Sequence, residues 1–302
     1  MLQVQGVDRF FGDHQVLTDV TFNVERGKLT GFVGGNGAGK TTTMRIILGV
    51  LGAHGGTVSL DGQVLDGRAR RSFGYMPEER GLYPKMKAAE QLAYLARLHG
   101  YDRGEANDRA RALLERLGLG ERADDTLESL SLGNQQRVQI GAALVHDPQV
   151  LILDEPFSGL DPMAVEVVLG VLTEHAERGV PVLFSSHQLD VVERLSDRLV
   201  IIAGGQIRAN GTAEQLRERH GVRRHQIVTA HDAGWVRQVP GVRLVELDGA
   251  TAVFEGGDQV AQQVLARAIQ QDTVLSFGPV HASLSEIFKD IVIDEEPQEE
   301  AA

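Results

Sequence analysis

The sequence predicts an α/β domain over residues 1–220, followed by a small α+β domain of the ferredoxin-like type over residues 222–291. A glycine-rich loop joins an apolar strand to a helix across residues 30–50. Four consecutive apolar residues, 150–153, are typical of a parallel strand that is buried on both faces. Beyond residue 221 the order of elements restarts as βαββαβ, the split pattern of a ferredoxin-like domain.

Alternating or continuous apolar runs predict the strands of the first domain at residues 2–7, 20–24, 30–33, 57–60, 72–76, 150–153 and 180–185, with a hairpin over 198–208. Helical periodicity predicts helices at 41–50, 86–99, 105–117, 131–145, 163–178 and 212–219. The helices between residues 78 and 148 form an insertion, which we call the helical subdomain. Ser131 is the expected N-cap of the fourth helix.

The second domain is expected to contain strands at 226–230, 242–247, 250–254 and 273–277, and helices at 232–238, 258–270 and 283–291. None of these segments carries a catalytic set of residues. A binding, docking or dimerisation module is therefore the expected role. Residues 292–302 carry five carboxylates and are predicted to be a solvated, disordered tail.

Composition excludes several classes of protein. The net charge of −12 argues against a nucleic-acid partner, which usually requires a basic surface. The chain has no cysteine, so disulfides and thiol chemistry are excluded. No apolar run approaches the ~18 residues of a membrane span, and the first residues do not begin a signal peptide. If the protein acts at a membrane, another chain is expected to cross it.

The glycine-rich loop is the strongest functional signal. A strand, a loop ending in Gly-Lys-Thr and a helix form the context of a phosphate-binding loop, in which backbone N–H groups and the helix N-terminus converge on an anion. Lys40 is expected to reach the β- and γ-phosphates, and the Thr41 hydroxyl is expected to bind Mg²⁺. The expected nucleotide contacts here are Gly34, Asn36, Gly37, Ala38, Gly39, Lys40, Thr41 and Thr42. An ordinary glycine-rich turn before a helix is the alternative.

Two carboxylates follow the buried strand at 150–153, at the end where open α/β sheets bind their ligands. Asp154 is expected to hold Mg²⁺ opposite Thr41. Glu155 is placed to polarise a water molecule towards the γ-phosphate. A solvated turn is the alternative for this pair. His187, which directly follows a neighbouring strand, is a further candidate contact of the γ-phosphate.

Together these motifs resemble those of the ATP-binding cassette (ABC) ATPases. The resemblance covers about residues 1–220 and rests on five segments in the family's order: Gly34–Thr41, Leu130–Asn134, Val150–Glu155, Ser158–Asp161 and His187. It implies a P-loop NTPase fold of the ABC type, with ATP and Mg²⁺ as ligands. Phe11 would stack on the adenine, beside Val16, although adjacent aromatics at a strand end are more often core residues.

The resemblance also implies a head-to-tail homodimer with ATP at the interface. Leu130–Asn134 corresponds to the family's signature segment, in which Ser131, Gly133 and Asn134 would bind the ATP held by a second copy. Asp161 would communicate across the dimer, and His187 would be the switch histidine. Lys40, Glu155 and His187 are accordingly the expected catalytic residues.

Two positions depart from the family pattern. Glu78 stands where the family usually has a glutamine that reaches Mg²⁺, so we expect it to contact both the metal and the nucleotide. The signature segment reads Leu-Ser-Leu-Gly-Asn rather than Leu-Ser-Gly-Gly-Gln, and it keeps Ser131 and Gly133. We therefore expect an active site, with the role of Glu78 open.

The class of ABC protein follows from what lies between the motifs. Only 91 positions separate Lys40 from Ser131, which leaves no room for the long coiled coil of the DNA-repair relatives, and there is one phosphate loop rather than two. The segment Tyr75–Tyr83 and the stretch 282–288 are similar to ATPases of ABC-2-type exporters. We therefore expect an exporter subunit, peripheral on the cytoplasmic face of the cell membrane, with a separate transmembrane permease. A soluble regulatory ABC ATPase without a membrane partner is the alternative.

Overall fold

The computed structural model describes residues 1–79, 81–220, 224–280 and 285–288, without the side chains of Asp190 and His220. The chain divides into two compact units, Met1–Ala213 and Glu214–Ala302. This division falls inside a helix, Ala213–His220, whose predicted range was 212–219.

The N-terminal unit is an α/β structure with two sheets. Its strands are β1 (Leu2–Phe11), β2 (His14–Val24), β3 (Leu29–Val33), β4 (Gly55–Leu60), β5 (Gln63–Val64), β6 (Phe73–Met76), β7 (Val150–Leu153), β8 (Val182–Ser186), β9 (Arg198–Ala203) and β10 (Gln206–Gly211). Its helices are α1 (Lys40–Ile47), α2 (Ala88–Leu98), α3 (Arg103–Arg116), α4 (Leu132–Leu144), α5 (Pro162–Glu177) and α6 (Leu189–Leu195), and α7 (Ala213–His220) follows.

The larger sheet has the order β10-β9-β3-β8-β7-β6. Its strands run parallel except for β10, which pairs antiparallel at one edge. Every residue of β3, β7 and β8 is buried, as expected for strands covered on both faces. Because parallel strands end at the same edge, the segments that follow β3, β6, β7 and β8 come together there.

The second sheet, β2-β1-β4-β5, is antiparallel. It packs on the α/β core through Phe22, whose ring stacks on that of Phe32 with centroids 5.2 Å apart. The backbone of Thr18 donates to Gly205 O at 2.9 Å, which ties β2 to the hairpin between β9 and β10. This sheet brings Phe11, at the end of β1, to the phosphate-loop side of the unit.

Helices α2, α3 and α4 lie in the segment predicted to be the helical subdomain. Gly141 allows α4 to approach α2 and α3 closely, because a Cβ at this position would lie 3.1 Å from side-chain atoms of Leu92 and Leu117. Helix α6 was not predicted. It has only seven residues, and its helical spacing is carried by Leu189, Val192 and Leu195 alone.

The C-terminal unit contains β11 (Arg224–Thr229), β12 (Arg243–Asp248), β13 (Thr251–Glu255), α8 (Asp258–Gln271) and β14 (Val274–Val280). The four strands form an antiparallel sheet in the order β12-β13-β11-β14. The predicted ferredoxin-like order of elements is confirmed with one correction. Residues 234–238 form a 3₁₀ turn instead of the α-helix predicted for 232–238. Gly234 weakens helix propagation, and Pro240 disfavours a helical conformation of the residue before it.

The end of the chain is described only in part. Within the helix predicted for 283–291, residues 285–288 are helical, and the remainder lies outside the described residues, as does the predicted acidic tail. Ile287 is buried, and Glu286 forms an ion pair with Arg224. Across the described part of the chain, every helix is too short or too polar to cross a membrane.

Candidate active site

Most of the predicted site residues meet at the carboxyl edge of the larger sheet. The segments after β3, β6, β7 and β8 supply the phosphate loop, Glu78, the Asp154–Glu155 pair and His187, respectively. Together they border a cavity of about 550 Å³. The cavity is lined by Phe11, Val16, Gly35, Asn36, Gly37, Ala38, Gly39, Lys40, Thr41, Thr42, Glu78, Asp154, Glu155 and His187.

Two glycines fix the shape of the phosphate loop. Gly39 caps α1 with φ of 107°, a left-handed conformation in which a Cβ would also lie 2.6 Å from Leu17 Cδ2. Gly34 does not line the cavity, but a Cβ there would lie 2.5 Å from the carbonyl of Ile202. The loop therefore packs tightly beneath the cavity while the N-terminus of α1, with its free N–H groups, faces it.

Lys40 is the first residue of α1, and its side chain folds back onto the phosphate loop. Its ammonium donates to Gly34 O at 2.7 Å and to Gly35 O at 3.0 Å. Burial lowers the pKa of Lys40, and the negative charges of Glu155, Asp154 and Glu78 oppose that shift. The lysine is therefore a buried cation held among carboxylates and carbonyls, ready to exchange the carbonyls for phosphate oxygens.

Asp154 contacts two hydroxyl groups. Thr41 donates to Oδ2 at 3.0 Å, so the expected pair of metal ligands is adjacent. The hydroxyl of Ser185, on β8, donates to Oδ1. Asp154 and Ser185 are both buried.

Glu155 is held at three points. Its N–H donates to Ser185 Oγ at 2.9 Å, and its carbonyl accepts from Gln136 Nε2 at 3.0 Å. The same amide of Gln136 reaches Pro156 O at 3.2 Å. The side-chain Oε1 lies 2.8 Å from His187 Nδ1. Glu155 has φ of 52°, which is unusual for a residue with a side chain. The predicted base therefore has a defined backbone and a defined carboxylate.

Phe11 presents an exposed aromatic ring to the cavity. Its side chain is 46% exposed at the edge of the cavity, so the core alternative is excluded by the structure. The guanidinium of Arg9 covers one face of the ring, 4.7 Å from its centroid. An aromatic ring that is exposed beside a phosphate loop can stack on a nucleobase.

Glu78 is exposed and lines the same cavity. The loop that carries it is held from α4, where Gln139 Nε2 donates to Pro77 O at 2.6 Å and to Glu79 O at 3.2 Å. The position is thus fixed by backbone contacts on both sides of Glu78, and the carboxylate itself faces the cavity.

The residues expected to bind a second ATP lie outside this cavity. Ser131 is the N-cap of α4, as predicted, and accepts from the N–H of Asn134 at 3.3 Å. A Cβ on Gly133 would lie 3.4 Å from Gly159 O, so the signature segment packs against the loop that leads to Asp161. Asp161 caps α5 by accepting from Ala164 N at 2.9 Å. The structure therefore forms two separate groups of predicted ATP contacts.

The first group suits a nucleoside triphosphate with Mg²⁺. The hydroxyl of Thr41 and the carboxylate of Asp154 are the oxygen donors that Mg²⁺ takes. A divalent cation would help to balance the charge of a triphosphate that enters beside three carboxylates and one lysine.

Sequence reasoning missed Ser185, Gln136 and Gln139. Ser185 lies inside the apolar strand β8, where a lone serine carries no signal. The two glutamines lie three residues apart on α4 and are both buried, so they share its inward face. Polar residues on the apolar face of a predicted helix were the available signal, because buried amides require hydrogen-bond partners.

Two family models match the chain. Residues 17–158 match the family described as ABC transporter. Residues 211–292 match the family described as ATP-binding protein DrrA1-3-like, C-terminal domain. The two matches follow the predicted order of a nucleotide-binding domain and an accessory domain.

One curated relative extends the match over nearly the whole chain, and two others cover about three quarters of it. The uncharacterized ABC transporter ATP-binding protein YhaQ of Bacillus subtilis is 35% identical over 95% of this chain and 97% of its own length. The linearmycin resistance ATP-binding protein LnrL of the same species is 37% identical over 73% and 72% of the two chains. The Nod factor export ATP-binding protein I of Ralstonia nicotianae is 35% identical over 72% and 68%.

Solved structures share the fold of the N-terminal unit. The structure titled as the ATP binding subunit of an ABC transporter is 36% identical, with a TM-score of 0.67 over 72% of this chain and 92% of its own. CbiO1 of Clostridium perfringens, part of the transporter complex cbiONQ, is 27% identical with a TM-score of 0.65 over 72% and 91%. With this fold, the phosphate-binding cavity and the two carboxylates in place, the chain belongs to the ABC transporter ATP-binding proteins and is an ATPase.

Proposed function

We propose that this chain is the ATP-hydrolysing subunit of an ABC exporter, acting as a head-to-tail homodimer beside a separate transmembrane permease. It works on the cytoplasmic face of the cell membrane, without a nucleic-acid partner. The names of two relatives, which refer to linearmycin resistance and Nod factor export, support the direction of transport.

One observation supports the proposed dimer. Ser131, Gly133, Asn134 and Asp161 do not line the cavity that the other predicted ATP contacts share. They lie at the N-termini of α4 and α5, beside Leu132 and Met163, which are 61% and 77% exposed. Large apolar side chains in such positions favour a surface that another molecule covers. A second copy in head-to-tail orientation would cover this surface. The γ-phosphate of the ATP bound to that copy would then contact Ser131 and Gly133.

The contacts within the cavity support a role for each residue in this proposal. Lys40, the N–H groups of the loop and the N-terminus of α1 hold the phosphates, and Phe11 and Val16 hold the base. Thr41 and Asp154 would hold Mg²⁺, which would supply positive charge against the phosphate oxygens. Glu155 accepts the proton of the attacking water, and His187 keeps the carboxylate of Glu155 in place through Nδ1. Glu78, which lines the same cavity, would contact the metal and the nucleotide.

The catalytic assignment is tested with a matched pair of variants. Glu155→Gln keeps the shape of the side chain and the contact with His187 but removes the base, so we expect kcat to fall by about 10²–10⁴-fold. ATP should then hold the dimer together, as measured by light scattering after size exclusion. Lys40→Ala should lose ATP binding and the dimer together. Near-normal turnover by Glu155→Gln would contradict the assignment.

Membrane fractionation separates the exporter from the regulatory alternative. If the chain is an exporter subunit, it should sediment with membranes. After detergent extraction it should co-purify with a protein that spans the membrane several times. A chain that stays in the supernatant, and hydrolyses ATP there at a rate that membranes do not change, would favour the soluble regulatory ATPase.

A further inference from the structure

One buried hydroxyl contacts both residues of the carboxylate pair. Ser185 is fully buried on β8. It donates to Asp154 Oδ1 and accepts from the N–H of Glu155 at 2.9 Å. A serine hydroxyl has one proton to donate and lone pairs that accept, so it satisfies both contacts at once.

For Asp154 this contact fixes the orientation of the carboxylate. The two oxygens have different partners: Oδ1 accepts from Ser185, and Oδ2 accepts from Thr41 at 3.0 Å. Because Ser185 occupies Oδ1 from within the sheet, Oδ2 is turned towards the phosphate loop. The hydrogen-bond partners of a metal-binding carboxylate orient it and adjust its affinity for the ion.

For Glu155, the contact with Ser185 stabilises an unfavourable backbone conformation. A glutamate at φ of 52° persists only where its surroundings hold it. Ser185 binds the N–H of this residue, and Gln136 binds its carbonyl at 3.0 Å. Without the hydroxyl, the N–H would lose its partner and the peptide could relax towards an ordinary conformation, which would move the carboxylate.

We propose that Ser185 is a positioning residue for ATP hydrolysis, which sets the metal-facing oxygen of Asp154 and the backbone of Glu155 with a single hydroxyl. This inference rests on the roles proposed above for Asp154 and Glu155. Ser185 is buried and does not line the cavity, so its effect is expected in turnover and in metal dependence rather than in nucleotide binding.

The test compares Ser185→Ala with Ser185→Thr and with a control. Thr30 is also fully buried, on the adjacent strand β3, and within the described residues its hydroxyl has no hydrogen-bond partner. Thr30→Val therefore removes a buried hydroxyl from the same sheet without removing a contact. The readouts are kcat, KM for ATP, the Mg²⁺ and Mn²⁺ concentrations for half-maximal rate, and Mn²⁺ binding by electron paramagnetic resonance in the presence of a non-hydrolysable ATP analogue.

We expect Ser185→Ala to lower kcat by about 10–100-fold and to weaken Mn²⁺ binding, while KM for ATP changes by less than about threefold. Ser185→Thr, which keeps the hydroxyl, should recover most of the rate, and Thr30→Val should behave as the wild type. If Ser185→Ala does not fold, Ser185→Cys replaces the hydroxyl by a weaker donor and should give an intermediate loss.

Two results would overturn the inference. One is a Ser185→Ala protein with wild-type kcat and wild-type metal dependence. The other is a protein that melts at lower temperature but keeps both, because a purely structural hydroxyl would affect stability alone. Failure of the proposed function looks different, since Glu155→Gln would then hydrolyse ATP normally whatever Ser185 does.

Discussion

His146, at the end of α4, should make the stability of the N-terminal unit depend on pH. Its ring stacks on His99 with centroids 3.8 Å apart, and Nε2 lies 3.2 Å from Phe73 O. Because a carbonyl only accepts, the neutral ring carries its proton on Nε2. Nδ1 is buried and has no partner among the described residues. Burial, together with the smaller effect of the neighbouring His99, lowers the pKa of His146 to about 4.

The sign of the effect follows from these two states. The unfolded chain binds a proton near the ordinary pKa of 6.5, whereas the folded chain binds it only near pH 4. Stability is therefore complete above about pH 6.5 and is lost as the pH falls towards 4. Linkage gives a loss of about 2 kcal/mol between about pH 7.5 and about pH 5. We expect about 1–2 kcal/mol, because part of the ring remains in contact with solvent.

The assay is urea unfolding followed by circular dichroism at the two pH values. His146→Gln keeps a neutral donor for Phe73 O and cannot titrate, so the loss at low pH should be about 1–2 kcal/mol smaller than in the wild type. His14→Gln removes an exposed histidine and serves as the control. Trp235, the one tryptophan of the chain, lies in the C-terminal unit, and its fluorescence transition should be the same in all three proteins. Equal losses in wild type and His146→Gln would refute the reasoning.

Three further outcomes are expected. Glu78→Gln removes one of the three negative charges that act on Lys40, so ATP should bind roughly 3–10-fold more tightly in EDTA, and ATP binding should depend less on Mg²⁺. Titrations with a fluorescent nucleotide in which Mg²⁺ changes the affinity equally in both proteins would contradict this. Gln136→Leu leaves two carbonyls without their amide donor, and we expect a loss of about 1–3 kcal/mol in urea unfolding and lower kcat, with ATP affinity retained; unchanged turnover would contradict this. A chain ending at Arg219 should fold and bind ATP in equilibrium dialysis, and an insoluble product would contradict the two-domain prediction.

The parts of the site that sequence could predict are those built from backbone. Gly39 and Gly34 are needed where the loop turns and approaches Leu17 and Ile202, so the glycine pattern carries the geometry. The strand ends could also be predicted, because a continuous apolar run such as 150–153 is typical of a parallel strand that is buried on both faces.

The parts that sequence could not predict depend on contacts between distant segments. Ser185 reaches Glu155 across 30 positions, and Gln139 reaches Pro77 across 62. The left-handed backbone of Glu155 has no sequence signal, since glutamate rarely adopts it. Short elements were the other failure: α6 has too few residues for a periodic pattern, and the 3₁₀ turn at 234–238 was taken for an α-helix.

The position of Gln136 on α4 places it about one turn and a half after the N-cap Ser131. Ser131, at the N-terminus, belongs to the group of residues proposed to face the ATP of a second copy. Gln136, five residues further on and about 7.5 Å along the axis, holds the carbonyl of Glu155 in its own subunit at 3.0 Å. Binding of the second copy's ATP at Ser131 would therefore displace or fix α4 as a unit. Gln136 would transmit that change to Glu155, which acts on the ATP of its own subunit. In a symmetric pair this connection runs in both directions, and turnover at the two sites should be cooperative in ATP.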